Sequence, residues 1–217
     1  MTADDLYARL RRSGFLWHST PAPNAIGIIQ SGEITPNSGQ FSETFPQSLA
    51  SWSRRLGGVS LFDCDDASDE EFEVHHTDYK ILASAPGRVL IKIDRRALEP
   101  AKLITPRQFH TRPPDPRLGG EPVGRHMRVP YLEAVYLGPV PARAFVGFHL
   151  TAYDDDRNLL SREFEPGPQT LKTMQMVIES WTEDYTRRKA ERHARGDIRL
   201  EEILADVAAE RHGRAQN

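Results

Sequence analysis

At 217 residues, 38% of them hydrophobic and 27% charged, with a net charge of −3, the chain can bury one main core plus a small appendage and is too apolar for wholesale disorder. No apolar run reaches the roughly 18–20 residues a membrane-spanning helix needs, and the opening MTADDLYARLRRSGF lacks the apolar centre of a signal peptide, so a cytoplasmic protein without membrane engagement is expected. Cys64 is the single cysteine, which excludes an intramolecular disulfide and a multi-cysteine zinc cluster.

Residues 3–12 read as a short helix, with Leu6 and Leu10 on one face, acids in the first turn, arginines in the last and Gly14 as the stop. A strand follows at Phe15-Leu16-Trp17 and runs into His18-Ser19-Thr20, where the hydroxyls and Pro21 should break it and cap a helix over 23–31. Ala25, Ile28 and Ile29 form that helix's buried stripe and Gly32 ends it. The Ser-, Pro- and Gln-rich stretch from Pro36 to Ser53 reads as a loop with one helical turn, before Gly57-Gly58 and a strand from Val59 to Phe62.

From Asp63 to Asp78 the chain is acidic without a single Lys or Arg. His75 and His76 in this stretch invite a metal reading, but neighbouring residues on one element rarely face one ion, so a solvated loop and no metal site are expected. Arg88 to Asp94 (RVLIKID) is the clearest strand. Residues 106–128, with five prolines, read as a loop and not an element. Strands over Tyr131–Leu137 and Phe145–Tyr153 are joined by a Gly138-Pro139 turn. Leu171, Met174, Ile178, Trp181 and Tyr185 then recur at helical spacing, and Leu200, Ile203, Leu204 and Val207 do so after Gly196. The fold class is α+β: a domain over 1–153, an acidic and Pro-Gly linker over 154–168, and a helical region over 169–217 whose bland role is packing on the core.

Three short segments carry the chemistry. The first is Leu16-Trp17-His18-Ser19-Thr20, a histidine at a strand end feeding a helix, where ligand crevices form. The second is Gly57-Gly58-Val59-Ser60-Leu61-Phe62, in which glycines permit close backbone approach and Ser60 faces the same crevice. The third is Tyr131-Leu132-Glu133-Ala134-Val135-Tyr136-Leu137, where a carboxylate opens an apolar strand. Each alone has a plain structural reading: a histidine bonded to a loop, a tight turn before an edge strand, a solvated glutamate.

In this order and at these separations the segments WHST (17–20), GVSLF (58–62) and EAVYLGPVPARAFV (133–146) resemble the ADP-ribosyltransferase superfamily, including the poly(ADP-ribose) polymerase catalytic domain and DarT-type toxins that modify nucleic acids. The resemblance covers roughly residues 15–150 and implies a split antiparallel sheet. It also implies NAD as co-substrate, with His18, Ser60 and Glu133 as the catalytic set. His18 would hold the adenosine-side ribose hydroxyl and the Ser19 backbone the nicotinamide amide. Glu133 would hold the nicotinamide ribose and stabilise the oxocarbenium-like transition state. Trp17, Thr20 and Gly58 would line the NAD site, and Arg54 or Arg55 would reach the pyrophosphate. Ser60 stands where the polymerase branch has its nicotinamide-stacking tyrosine, and Ser19 stands where it has glycine, which favours mono-transfer; Tyr79 and Trp52 are the alternative stacking rings. The RNA 2′-phosphotransferase branch is disfavoured, because its clustered basic residues have no counterpart here.

Between Arg88 and Arg128 ten Lys or Arg face four acids, a basic stretch suited to a DNA or RNA acceptor, with a protein acceptor open and solvated arginines as the plainer reading. The resemblance further implies a toxin or defence effector, with a neutralising antitoxin as an alternative role for the C-terminal helices. A catalytically degenerate nucleotide- or partner-binding domain, and an NAD glycohydrolase, are the alternatives.

Overall fold

The computed structural model describes residues 3–11, 13–37, 52–68, 70, 87–111, 131–153 and 159–196. His75, His76, Tyr79, the acids at 154–156 and the helix expected over 200–207 lie outside the described residues, as do most of the loops expected over 36–53 and 106–128. The chain is mixed α+β. In order it forms α1 (Ala3–Leu10), β1 (Leu16–Pro21), α2 (Ala22–Ser31), β2 (Glu33–Ile34), α3 (Trp52–Arg55), β3 (Gly58–Phe62), β4 (Arg88–Ile93) and β5 (Leu103–Ile104). There follow α4 (Pro106–Thr111), β6 (Glu133–Leu137), β7 (Val140–Pro141), β8 (Phe145–Tyr153), β9 (Leu159–Phe164) and α5 (Thr170–Ala194). Among the described residues seven strands make one sheet in the order β5-β6-β3-β1-β4-β8-β9 with antiparallel neighbours, and β2 pairs with β7 apart from it.

Strand alternation sorts the side chains onto two faces. Leu16, Val59, Leu61, Ile91 and Leu150 face one side with Ala22 and Ala25 of α2 and Met174 and Ile178 of α5 in a single buried cluster. Trp17, Phe62, Leu90 and Leu132 face the other, against Leu6 and Leu10 of α1. Burying side chains the size of Met174 and Ile178 is worth about 1.5–3 kcal/mol each. The first C-terminal helix is therefore part of the main core and not a loose appendage.

Several elements depart from expectation for identifiable reasons. β1 does not stop before Thr20: Ser19 and Thr20 pair with Leu90 and Val89, so His18 sits within the strand, because the β4 ladder outweighs the turn tendency of the hydroxyls. Pro106–Thr111, expected as loop, is helical. Thr105 and Gln108 cap it reciprocally, Thr105 N–H donating to Gln108 Oε1 at 2.9 Å and Gln108 N–H to Thr105 Oγ1 at 3.5 Å, with Pro106 in the first turn. Residues 159–164, expected inside a linker, form β9 on the sheet edge, and β6 starts at Glu133, two residues later than expected.

The acidic stretch is also not simply solvated where it is described. Asp63 is fully buried and ion-paired with Arg95, while its N–H donates to the Leu132 carbonyl at 2.7 Å. Burial nevertheless pushes the Asp63 carboxyl up, against the pull of Arg95. Asp65 accepts from the N–H groups of Ser13 and Gly14 at 3.2 and 2.6 Å, and Asp66 accepts from the Arg107 N–H at 2.9 Å. This turn thus ties α1, α4 and the end of β4 together. Burial also raises the Cys64 thiol well above its ordinary range, leaving it an inert core group.

Gly58 illustrates how tightly β3 meets β6. A Cβ there would lie 2.3 Å from Val135 Cγ1 and 2.8 Å from the Tyr136 carbonyl oxygen, so Gly58→Ala forces the strands apart. Urea unfolding is expected to register a loss of about 2 kcal/mol, in the range for overpacking. A second expectation concerns His149 on β8, whose imidazole burial holds below the ordinary histidine value of 6.5 despite Glu163 at 3.2 Å. The unfolded chain then takes the proton first, so stability present at neutral pH is lost as pH falls below about 6.5 toward the folded value. In His149→Gln that part of the acid-side slope should disappear from unfolding free energies measured between pH 8 and 5.

Candidate functional site

β1 and β3 are held in backbone register at Trp17 opposite Phe62, and beyond that point a side chain replaces the ladder. His18 Nδ1 lies 3.0 Å from the Ser60 carbonyl oxygen. A carbonyl can only accept, so Nδ1 carries a proton and donates it to this bond. A strand-borne histidine thereby acquires a fixed tautomer and orientation.

The next strand adds the carboxylate. Phe62 faces Glu133 in the β3–β6 register, and Ser60, two residues back on the same face, reaches it diagonally. Ser60 Oγ donates to Glu133 Oε1 at 2.6 Å. Glu133 is 1% exposed, between fully buried Leu132 and Ala134, which removes the solvated-glutamate reading. An ionised carboxylate so placed is tolerated only when hydrogen bonds hold it. Two residues upstream Tyr131 adopts φ +66°, a left-handed conformation that side-chain-bearing residues rarely take and that costs on the order of 1–3 kcal/mol. The backbone is turned sharply just where Glu133 enters the sheet.

The remaining expected site residues separate into groups. Ser19 lies beside His18 on β1, partly exposed, and Thr20 is buried opposite Val89. Trp17 is core: it packs with Phe62 and Leu90, and its indole N–H donates to Ser13 Oγ at 3.4 Å. Gly58 lies where β6 approaches β3 closely, with room for no Cβ. Arg54 sits on α3, partly exposed, with its carbonyl accepting from the Gly57 N–H at 3.0 Å. The side chain of Trp52 lies outside the described residues.

One residue at the site was not expected from the sequence. Arg88, 2% exposed, donates from Nε to Ser19 Oγ at 2.7 Å and from Nη2 to the Ser19 carbonyl at 3.1 Å. Its signal was available, since Arg88 heads an apolar strand just as Glu133 does. Four adjacent strands, β6, β3, β1 and β4, therefore contribute Glu133, Ser60, the His18–Ser19 pair and Arg88.

The basic stretch changes character in three dimensions. Arg95, Arg96, Lys102 and Arg107 pair with Asp63, Asp94, Glu99 and Asp66, and the Lys92 ammonium lies 4.2 Å from the Phe15 ring centroid. Much of its described charge is spent within the fold. Among the described residues no helix is long and apolar enough to cross a membrane. Comparison with protein-family models, with curated proteins and with solved structures finds no match for this chain.

The His18 geometry has a direct spectroscopic check. At pH 8, nitrogen-15 NMR of the imidazole should show the proton on Nδ1 and an unprotonated Nε2; a ring protonated on Nε2 instead would break the proposed link to Ser60.

Proposed function

We propose that this chain transfers single ADP-ribose units from NAD to a macromolecular acceptor and releases nicotinamide, on a split-sheet fold like that of the ADP-ribosyltransferases. The observation that carries the reading is the continuous contact from His18 through Ser60 to Glu133. Three residues far apart in the chain lie on three neighbouring strands, His18 touching the main-chain carbonyl of Ser60 and the Ser60 hydroxyl touching Glu133.

The chemistry follows from the groups. In NAD the bond between the ribose C1′ and the pyridinium nitrogen breaks with its electron pair going to nicotinamide, which leaves neutral and transfers positive charge to the ribose. The Glu133 carboxylate, preoriented by the Ser60 hydroxyl, accepts a hydrogen bond from the ribose 2′-hydroxyl and stabilises that charge in a site screened from water. The acceptor's oxygen or nitrogen then bonds to C1′, and its proton passes to Glu133 or to solvent. His18 hydrogen-bonds a hydroxyl of the other ribose, with no proton transferred. Binding the ligand at both ends leaves the scissile bond over Glu133.

The acceptor is either nucleic acid or protein. Internal pairing of residues 95–107 removes most of the electrostatic case for nucleic acid from that segment, so the acceptor is decided by experiment. With NAD labelled in its adenylate portion and added to cell extract, nicotinamide release should accompany label in the DNA, RNA or protein fraction. Release without any labelled macromolecule identifies an NAD glycohydrolase. Glu133→Gln is expected to lower the rate about 100-fold or more, the range for losing one preorganised electrostatic group, while binding NAD within a few-fold of the wild type. Absence of both NAD binding and nicotinamide release in the wild-type chain would overturn the proposal in favour of a non-enzymatic binding domain.

A further inference from the structure

Arg88 is the group in this region that the proposed chemistry leaves without a task. Its guanidinium is almost fully buried, and a buried cation is costly unless its N–H groups are satisfied by fixed acceptors. Two of its donors converge on one residue, Ser19, taking both the hydroxyl and the carbonyl. The β1–β4 ladder already holds the backbone here over six residue pairs, with Leu90 opposite Ser19 and Arg88 opposite Pro21. A second grip on Ser19 alone adds little to strand pairing. Its effect is to fix the Ser19 rotamer and the orientation of the peptide plane that follows it. A planar, forked guanidinium suits that task, whereas a lysine ammonium makes a single-point contact.

Thr151 on β8 bonds Arg88 in turn, its hydroxyl donating to the Arg88 carbonyl at 3.4 Å, within a register that puts the two residues opposite each other. The chain of contacts thus runs from β8 through β4 to β1. It ends at the residue next to His18.

Resting on the reading of the site as one for NAD, we infer that Arg88 is a positioning residue for its nicotinamide end. By clamping Ser19 it sets the geometry with which the backbone beside His18 meets a planar carboxamide. It acts through Ser19 and not on the scissile bond. Its loss therefore weakens recognition of the carboxamide and leaves the chemical step largely intact.

The test is steady-state NAD cleavage by Arg88→Lys and Ser19→Ala, with nicotinamide and ADP-ribose as separate inhibitors; ADP-ribose lacks the carboxamide and reports on the rest of the site. In Arg88→Lys the KM for NAD and the inhibition constant of nicotinamide should both rise about tenfold, as for one lost charge-assisted hydrogen bond. The kcat should stay within about threefold and the ADP-ribose constant within about twofold. Ser19→Ala, which keeps the guanidinium and removes one of the two acceptors that Ser19 offers it, should shift the same two constants less. Equal weakening of nicotinamide and ADP-ribose would show a structural role only and overturn the inference, as would no change in either. Failure of the wild-type chain to bind or cleave NAD overturns the parent reading and this one together, while wild-type turnover with unaltered variants overturns this one alone.

Discussion

The site depends on one constraint, the parting of β1 from β3 beyond Trp17 and Phe62. A sheet that kept its ladder there would direct the Ser60 carbonyl to a backbone N–H and leave His18 as an ordinary strand residue. With the strands apart, the carbonyl needs another donor, because an unpaired peptide group within a sheet is costly, and the imidazole supplies it. That single bond fixes the ring and its tautomer. It also anchors Ser60, whose hydroxyl holds Glu133.

The surroundings protect this arrangement from both faces. On one side α2 and α5 cover the sheet with an apolar layer. On the other, α1 and the ends of β3 and β6 close around Trp17, Phe62 and Leu132. The turn at 63–66 ties that end down, since each of its three aspartates accepts from a different neighbouring segment. Charges that look like an acidic tract in the sequence therefore act as connectors. Their partners include arginines of the stretch that reads as a basic loop. Opposite charge in two segments becomes neutral pairing once the fold brings them together.

Legibility differed by element for physical reasons. Strands β3, β4 and β8 and the helix ending at Gly32 carry strong local signals, a run of β-branched and aromatic residues or a glycine at φ +76° in the cap. Helix α4 had a legible signal as well, the Thr105–Gln108 capping pair, but the surrounding prolines obscure it. Edge strand β9 offers little to read: its exposed positions mix Leu160 with Arg162 and Glu163, without clean alternation, and it pairs with β8 alongside.

His18, Ser60 and Glu133 stand out in the chain by residue type, order and context, and the structure brings them into contact. Which residues pack or bond beside them could not be read so. Trp17 and Gly58 share motifs with them yet belong to packing, and Arg88, 70 positions away from His18 in the chain, belongs beside Ser19. Local sequence determines which residues prefer a strand, a cap or a turn, because those preferences act over a few bonds. Only the tertiary structure decided that Glu133 is buried, that the His18 proton sits on Nδ1 and that Arg88 grips Ser19, because each depends on which strands become neighbours and in what register.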